Sequence, residues 1–265
     1  MGSVGDRLGG SVKTPDLQVN RKPAWRRLLH RSTSWLLPAR CVICGAGDVD
    51  AASLCVGCRA DLVANAPSCP RCAEPLVQSE PLCGRCLRHT PPFAGSFAPL
   101  RYAWPLDGLV TRFKFHGDLA AGRSLARLFV EHAREECDSI PALLVPVPLH
   151  RQRLRQRGYD QALELARDIH AGLDGVRLVP DLLERTRATD AQTRLDAAGR
   201  RRNVRAAFAV NARALRRLGD ERPALALLDD VMTTGATLAE CARVLARAGF
   251  TQVRAWAIAR APAHD

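Results

Sequence analysis

Two sets of residues in this 265-residue chain have types and spacings that chemistry demands. The first is cysteine. Four Cys-x-x-Cys pairs occur: Cys41/Cys44, Cys55/Cys58, Cys69/Cys72 and Cys83/Cys86. Ten residues separate the pairs within each half, and every cysteine of the first half recurs 28 positions later, which marks an internal duplication. A Cys-x-x-Cys knuckle aims two thiolates at one ion, and two knuckles complete a tetrahedral four-sulfur site. Gly45, Arg59 and Arg85, beside the knuckles, suit tight turns and offset the negative charge of such a centre. Disulfides, a redox Cys-x-x-Cys and an iron–sulfur cluster are the alternatives. Disulfides are rare in the cytosol, and a thioredoxin-like motif would be single and open a helix. Four regular pairs favour two structural Zn2+ ions, with sequential sharing preferred over interleaved. Cys137 and Cys241 stand outside the pattern. Cys241 shares an apolar helix face with Leu238 and Leu245 and reads as packing.

The second set follows an apolar run. Asp229 and Asp230 end the stretch Leu225-Ala-Leu-Leu, and Thr233-Thr234-Gly235-Ala236-Thr237 then opens a helix. A helix N-terminus offers unsatisfied N–H groups and the positive end of its dipole to an anion. Threonine hydroxyls add donors, and glycine lets a phosphate approach the backbone. Paired carboxylates accept from two neighbouring hydroxyls, as on a ribose. Asp-Asp alone, or a threonine cap alone, would carry no such meaning; the combination after a buried strand is specific. The P-loop pattern GxxxxGK[ST] is absent, so an ATPase reading is poor.

The elements that must hold these groups alternate. Leu119–Glu136 has helical periodicity, Ala142–Val147 reads as a short buried strand, and Asp160–Gly172 as a helix with Asp160 as N-cap and Gly172 as its stop. Ala224–Leu228 is a strand, Thr237–Ala248 a helix ended by Gly249, and Gln252–Ala259 a last strand. Upstream, Phe97–Trp104 is strand-like and Ala24–Leu37 a short amphipathic helix. Strands separated by helices imply right-handed βαβ units and a mostly parallel sheet. Such sheets bind ligands at the carboxyl ends of their strands, here the loops after Val147 and Leu228. The division expected is a disordered tail at 1–22, a helix and cysteine module at 23–90, and an α/β domain at 91–265. No window approaches the ~20 apolar residues of a membrane span, and no signal peptide is evident, so a cytoplasmic protein without membrane insertion is expected. Net charge is +12 and pI about 9.8, almost wholly from arginine, since only Lys13, Lys22 and Lys114 are lysines among 39 basic residues. The excess favours an anionic partner, a phosphorylated metabolite or nucleic acid; composition does not choose between them.

The Asp229–Thr237 stretch resembles the 5-phosphoribosyl diphosphate (PRPP) motif of type I phosphoribosyltransferases. The resemblance narrows to ComF-like proteins, over residues 35–260, through further motifs in order. These are Phe113-Lys-Phe-His-Gly-Asp118, Arg157-Gly-Tyr-Asp-Gln161, Arg185-Thr186…Gln192, Arg202-Asn203-Val204 and Phe208. Asp160 stands where the family usually has Asn; both cap helices. The resemblance implies a flavodoxin-like phosphoribosyltransferase type I fold with a small N-terminal zinc module. It assigns the ribose hydroxyls to Asp229 and Asp230, also the catalytic candidates, and the 5′-phosphate to Thr233, Thr234, Gly235, Ala236 and Thr237. Diphosphate would fall at the strand end before Arg151, Arg155 and Arg157, with Mg2+ accompanying PRPP. Arg185–Arg205 corresponds to the flexible loop that closes over the site, and His116 and His150 are weighed for proton transfer against ordinary surface or capping roles. Three functions are implied: phosphoribosyl transfer to an unknown acceptor, handling of single-stranded DNA with the competence machinery, or PRPP sensing without catalysis. The second lacks a strong stacking platform, since only Tyr102, Trp104 and Tyr159 stand near basic segments. Oligomeric state is not legible.

Overall fold

The computed structural model describes residues 39–187 and 197–262, all within one unit of the chain. Short helices α1 (Val56–Ala60) and α2 (Gly84–Arg88) belong to the cysteine-rich segment. The α/β part then runs β1 (Gly95–Phe97), β2 (Leu100–Arg101), α3 (Leu106–His116), α4 (Leu119–Glu136) and β3 (Leu143–Pro146). It continues through α5 (Arg151–Arg157), α6 (Gln161–Gly172), β4 (Arg177–Leu178), β5 (Leu183–Arg185), α7 (Ala197–Val204) and β6 (Phe208–Val210). Finally come α8 (Ala212–Leu218), β7 (Leu225–Met232), α9 (Ala236–Arg247) and β8 (Val253–Arg260).

The central sheet has the order β1-β8-β7-β3-β4, with β2 also on β8, and every pairing in it is parallel. The single strand expected at Phe97–Trp104 is instead two short pieces on one edge of β8, with Phe97 opposite Trp256 and Leu100 opposite Ala259. Pro99 lies at the break, where it has no N–H for the ladder. β7 is longer than its apolar run: pairing continues through Asp229 to Met232 opposite Arg260, so the carboxylates stand within the strand. Crossovers leave β3 toward β4 and β7 toward β8, in opposite directions. The carboxyl ends of β3 and β7 therefore flank a topological switch point.

Alternate residues of the strands feed two cores. Leu144, Leu228, Trp256 and Ile258 pack with Phe129 of α4 and Ile169 of α6. Leu143, Leu227, Ala255 and Ala257 pack with Leu238, Cys241 and Leu245 of α9. Cys241 is thus packing, as its spacing implied. Helix α4 has the expected bounds, capped by Asp118, whose carboxylate accepts from the Ala121 N–H at 3.0 Å. Asp160 caps α6. Gly172 is not the stop residue: it remains helical, and the cap is extended Leu173. A Cβ at 172 would meet Val130 at 2.9 Å, so glycine serves the close approach of α6 to α4. Arg185–Arg205 is flanked by an antiparallel pair, β5 with β6, and within it Ala197–Val204 is helical. Residues 188–196, the tail, the Ala24–Leu37 helix and residues 263–265 lie outside the described residues. Among those described, no helix is long and apolar enough to cross a membrane.

Candidate functional site

The duplicated cysteines form two clusters. The sulfurs of Cys41, Cys44, Cys55 and Cys58 all lie within 4.8 Å of one another, and so do those of Cys69, Cys72, Cys83 and Cys86. Sharing is therefore sequential. Cys44 and Cys55 sulfurs are 3.6 Å apart, as are those of Cys72 and Cys83. A tetrahedral zinc with ~2.3 Å bonds sets its sulfurs about 3.8 Å apart, so both clusters fit structural Zn2+. The two differ in setting. All four sulfurs' residues in the second cluster are buried, whereas Cys44 is exposed and Cys55 and Cys58 are half-buried. Burial opposes ionisation of Cys41 and Cys69, yet knuckle N–H groups outweigh it and hold these thiols down to about 6 and about 7. Gly45 turns the first knuckle at φ +79°. Arg85 meets the Cys72 sulfur at 3.6 Å, as its position implied. Arg59 does not face a thiolate: it binds Asp50 and reaches Glu131 of α4 at 2.9 Å, tying the first ribbon to the α/β core.

The second site is a cavity of about 710 Å3 at the switch point. Asp229, Asp230, Thr233 and Thr237 line it from β7 and the start of α9; Pro148, His150, Arg153 and Arg157 line it from the β3 side. Gly235 is the N-cap of α9 with φ +71°, a left-handed backbone that side chains disfavour. Its carbonyl receives the Ala239 N–H at 2.9 Å, and the Thr234 hydroxyl accepts from the Ala236 N–H at 3.4 Å. On the opposite side α3 delivers Lys114, whose Nζ lies 2.7 Å from an Asp230 carboxylate oxygen. The Asp229 carboxylate accepts from the Asp230 N–H at 2.9 Å. Burial, then repulsion from Asp230, pushes the Asp229 carboxyl up to about 7, against the pull of Lys114 and Arg185. Burial works against the Lys114 ammonium, but Asp230 and then Asp229 outweigh it and raise its pKa. Burial lowers that of Arg185, which stacks 5.3 Å from the Phe208 ring. Lining carboxylates thus oppose Lys114, Arg153, Arg157 and Arg185: hydroxyl acceptors on one wall, anion donors around them.

Of the three arginines singled out by sequence, only Arg157 lines the cavity. It donates to the Gln161 side chain at 2.7 Å and lies 5.3 Å from the Phe115 ring. Arg151 and Arg155 are exposed and outside the lining. The stretch is a helix rather than a loop, so Arg153 and Arg157, four apart, share the inward face and Arg151 and Arg155 the outward one. His150 caps this helix through Nδ1, which accepts from the Gln152 N–H at 3.3 Å, and His116 is exposed. Asp160 binds the Leu149 N–H at 2.9 Å, fixing the loop after β3 to α6. Sequence reasoning missed Lys114 and Arg153 as cleft residues. One signal existed: Lys114 is the sole lysine after Lys22 in an arginine-dominated chain.

A mostly parallel α/β domain with an acid–base cleft at its switch point, bearing an N-terminal module of two zinc-fitting cysteine clusters, defines the class of protein. Residues 32–87 match the double zinc ribbon domain family. Competence protein F of Haemophilus influenzae is 34% identical over 164 residues, 60% of this chain and 70% of that protein. DNA utilization protein YhgH of Escherichia coli K12 is 33% identical over 182 residues, 66% of this chain and 75% of that protein. The Salmonella typhimurium protein of the same name is 32% identical over 178 residues, with the same coverages. The chain belongs to the ComF family.

Proposed function

We propose that the cleft binds PRPP and that the protein transfers its phosphoribosyl group to an acceptor. The observation that supports this best is the placing of two carboxylates and a glycine-opened helix N-terminus on one strand end, inside a cavity rimmed with arginine. On this reading Asp229 and Asp230 accept from the ribose hydroxyls, and the Thr233–Thr237 backbone and hydroxyls hold the 5′-phosphate. Arg153 and Arg157, rather than Arg151 and Arg155, hold the diphosphate through their planar forks. Transfer breaks the bond from C1 to the diphosphate oxygen, whose electron pair leaves with the diphosphate, while the acceptor's lone pair forms the new bond to C1. Positive charge develops on the ribose beside the two aspartates, and the arginines stabilise the departing anion. Carboxylate oxygens suit Mg2+, but Asp230 is occupied by Lys114, and Asp229 is part-protonated near neutrality. A magnesium ion would thus be held chiefly by the ligand's diphosphate, where it would neutralise charge.

Calorimetric titration with PRPP and Mg2+ tests the reading. Asp229→Asn with Asp230→Asn is expected to weaken binding by about 2–4 kcal/mol, the loss of two charge-assisted hydrogen bonds. Unaltered affinity in the double variant would remove the ribose assignment. Diphosphate release during a screen of bases and amines separates a transferase from a PRPP sensor.

The names of the relatives and the pI of about 9.8 favour a second role, handling single-stranded DNA alongside the competence machinery. Electrostatic binding would weaken with salt at a slope of about −0.7 per neutralised phosphate and would survive the Asp229/Asp230 double substitution. Fluorescence anisotropy of a labelled strand at several salt concentrations measures both; no binding at low salt ends this role.

A further inference from the structure

The second cysteine cluster and the proposed phosphate loop meet at one buried side chain. Arg260, the last residue of β8, is wholly buried. Its Nε donates to the Cys72 carbonyl at 3.2 Å, in the Cys69/Cys72 knuckle of the second cluster. One Nη donates to the Met232 carbonyl at 3.1 Å and to the Ala261 carbonyl; the other binds the Glu74 carboxylate. Glu74 also lies 3.4 Å from Arg85, which itself meets the Cys72 sulfur. Met232 immediately precedes Thr233, and its carbonyl accepts a second bond from the Ala261 N–H at 2.9 Å. The Arg260 carbonyl in turn receives the Tyr102 N–H at 2.9 Å. Tyr102, Thr233 and Ala261 all line the cavity.

From these contacts we propose that Arg260 is a positioning residue through which the second zinc site sets the geometry of the 233–237 loop. A buried guanidinium is tolerated only when its charge is met and its donors are filled. Here the filling comes from both directions, from a knuckle carbonyl and Glu74 on the ribbon side and from the end of β7 on the cleft side. When the knuckle opens, the Cys72 carbonyl moves away and Glu74 loses the thiolate-anchored Arg85 that fixes it. The guanidinium then holds Met232 with an uncompensated charge, and the start of the loop loosens. Among the described residues the first cluster shows no such route: its side-chain hydrogen bonds to the α/β part run through Arg59 to Glu131 on α4 and through Arg112 and Arg127 to the Val42 and Ala51 carbonyls. The two metal sites thus do different work. The first fastens the ribbon to α3 and α4, and the second supports the cleft.

Amide hydrogen exchange on the full chain tests this without any ligand, so its outcome is independent of whether PRPP is the occupant. Glu74→Gln keeps the side chain's shape and removes its charge. The expected result is two zinc ions retained by elemental analysis, exchange at 233–237 at least tenfold faster, and unchanged exchange in α4. If that variant does not fold, chelator titration of the unmutated chain decides. Exchange at 233–237 should then rise in step with exposure of residues 69–86, whichever cluster empties first. Unchanged protection of the loop in folded Glu74→Gln overturns the proposal. So does a rise at 233–237 that follows residues 41–58, or follows neither cluster.

Discussion

Replacing Lys114 by methionine keeps the stem that packs beside the cleft and removes the charge that lies 2.7 Å from the Asp230 carboxylate. The magnitude follows from its exposure. Removing one partner of a buried ion pair costs about 3–5 kcal/mol, while an exposed pair contributes about 0–1 kcal/mol. Asp230 keeps 10% of its side chain exposed and Lys114 28%, which places the cost between these limits, at about 2 kcal/mol at pH 8. The cost should depend on pH through Asp229. Above about 7 that carboxyl is ionised and also attracted to Lys114. At pH 5.5 it carries a proton, so its share, on the order of 1 kcal/mol, disappears. Urea unfolding followed by circular dichroism at pH 8 and pH 5.5 measures both values. With a slope of about 2.5 kcal/mol/M the midpoint should fall by about 0.8 M at pH 8, and by roughly half of that at pH 5.5. An equal fall at both pH values, or no fall at pH 8, would refute the account of the cleft as a charge-coupled triad.

Asp229→Asn should behave oppositely. A carboxyl whose folded pKa, about 7, lies above its unfolded value favours folding while protonated, and that stability is lost as pH rises from about 4 to 7. The asparagine variant should therefore be the more stable at pH 8, with the advantage vanishing by pH 4; a variant less stable at pH 8 contradicts this. Purified protein should hold two zinc ions per chain by elemental analysis, and Cys69→Ser with Cys72→Ser should lower the melting temperature more than Cys41→Ser with Cys44→Ser. The buried second cluster shares Arg260 with the sheet, so its loss should reach the α/β core rather than stay within the ribbon; equal losses would count against that coupling. Gly172→Ala should cost about 1–3 kcal/mol by overpacking Val130. Gly235→Ala, with 4.0 Å of clearance, should cost about 1–2 kcal/mol through backbone strain alone; denaturant midpoints distinguish them.

The cysteine clusters and the Asp229–Thr237 stretch were legible because their chemistry is local. Each knuckle sets its two cysteines three positions apart, and a strand end followed by a helix N-terminus is contiguous in sequence. The helices α4, α6 and α9 were legible because each has one apolar face. β7 runs past the apolar run that marks it in the sequence, because polarity does not limit pairing there. Here the ladder runs on beneath Asp229 and Asp230, which line the cavity, so polarity and register part company. Helix α5 shows no period in the sequence because Leu154 is the single apolar residue of Arg151–Arg157, and one apolar residue makes no stripe. Lys114 could not be assigned because its partner is distant in sequence, and only the fold brings α3 over β7.

The helix at Arg151–Arg157 bears on how one surface could serve both anionic partners proposed above. Read as a loop, Arg151–Arg157 is a single run of positive charge, and binding a diphosphate or a nucleic acid strand would draw on the same side chains. As a helix it divides that charge by geometry. Two residues along an α-helix turn a side chain through about 200°, so the Arg153/Arg157 pair and the Arg151/Arg155 pair face nearly opposite ways. The inner pair borders the cavity with the aspartates, where the proposed small ligand would be enclosed and its charge met at short range. The outer pair stands in solvent, where attraction is weaker, screened within about 8–10 Å at physiological salt, and indifferent to the ligand's shape. A phosphorylated sugar in the cleft and a polyanion along the outside are thereby compatible. Their interaction would be electrostatic, through the thickness of one short helix, rather than competition for a common set of contacts.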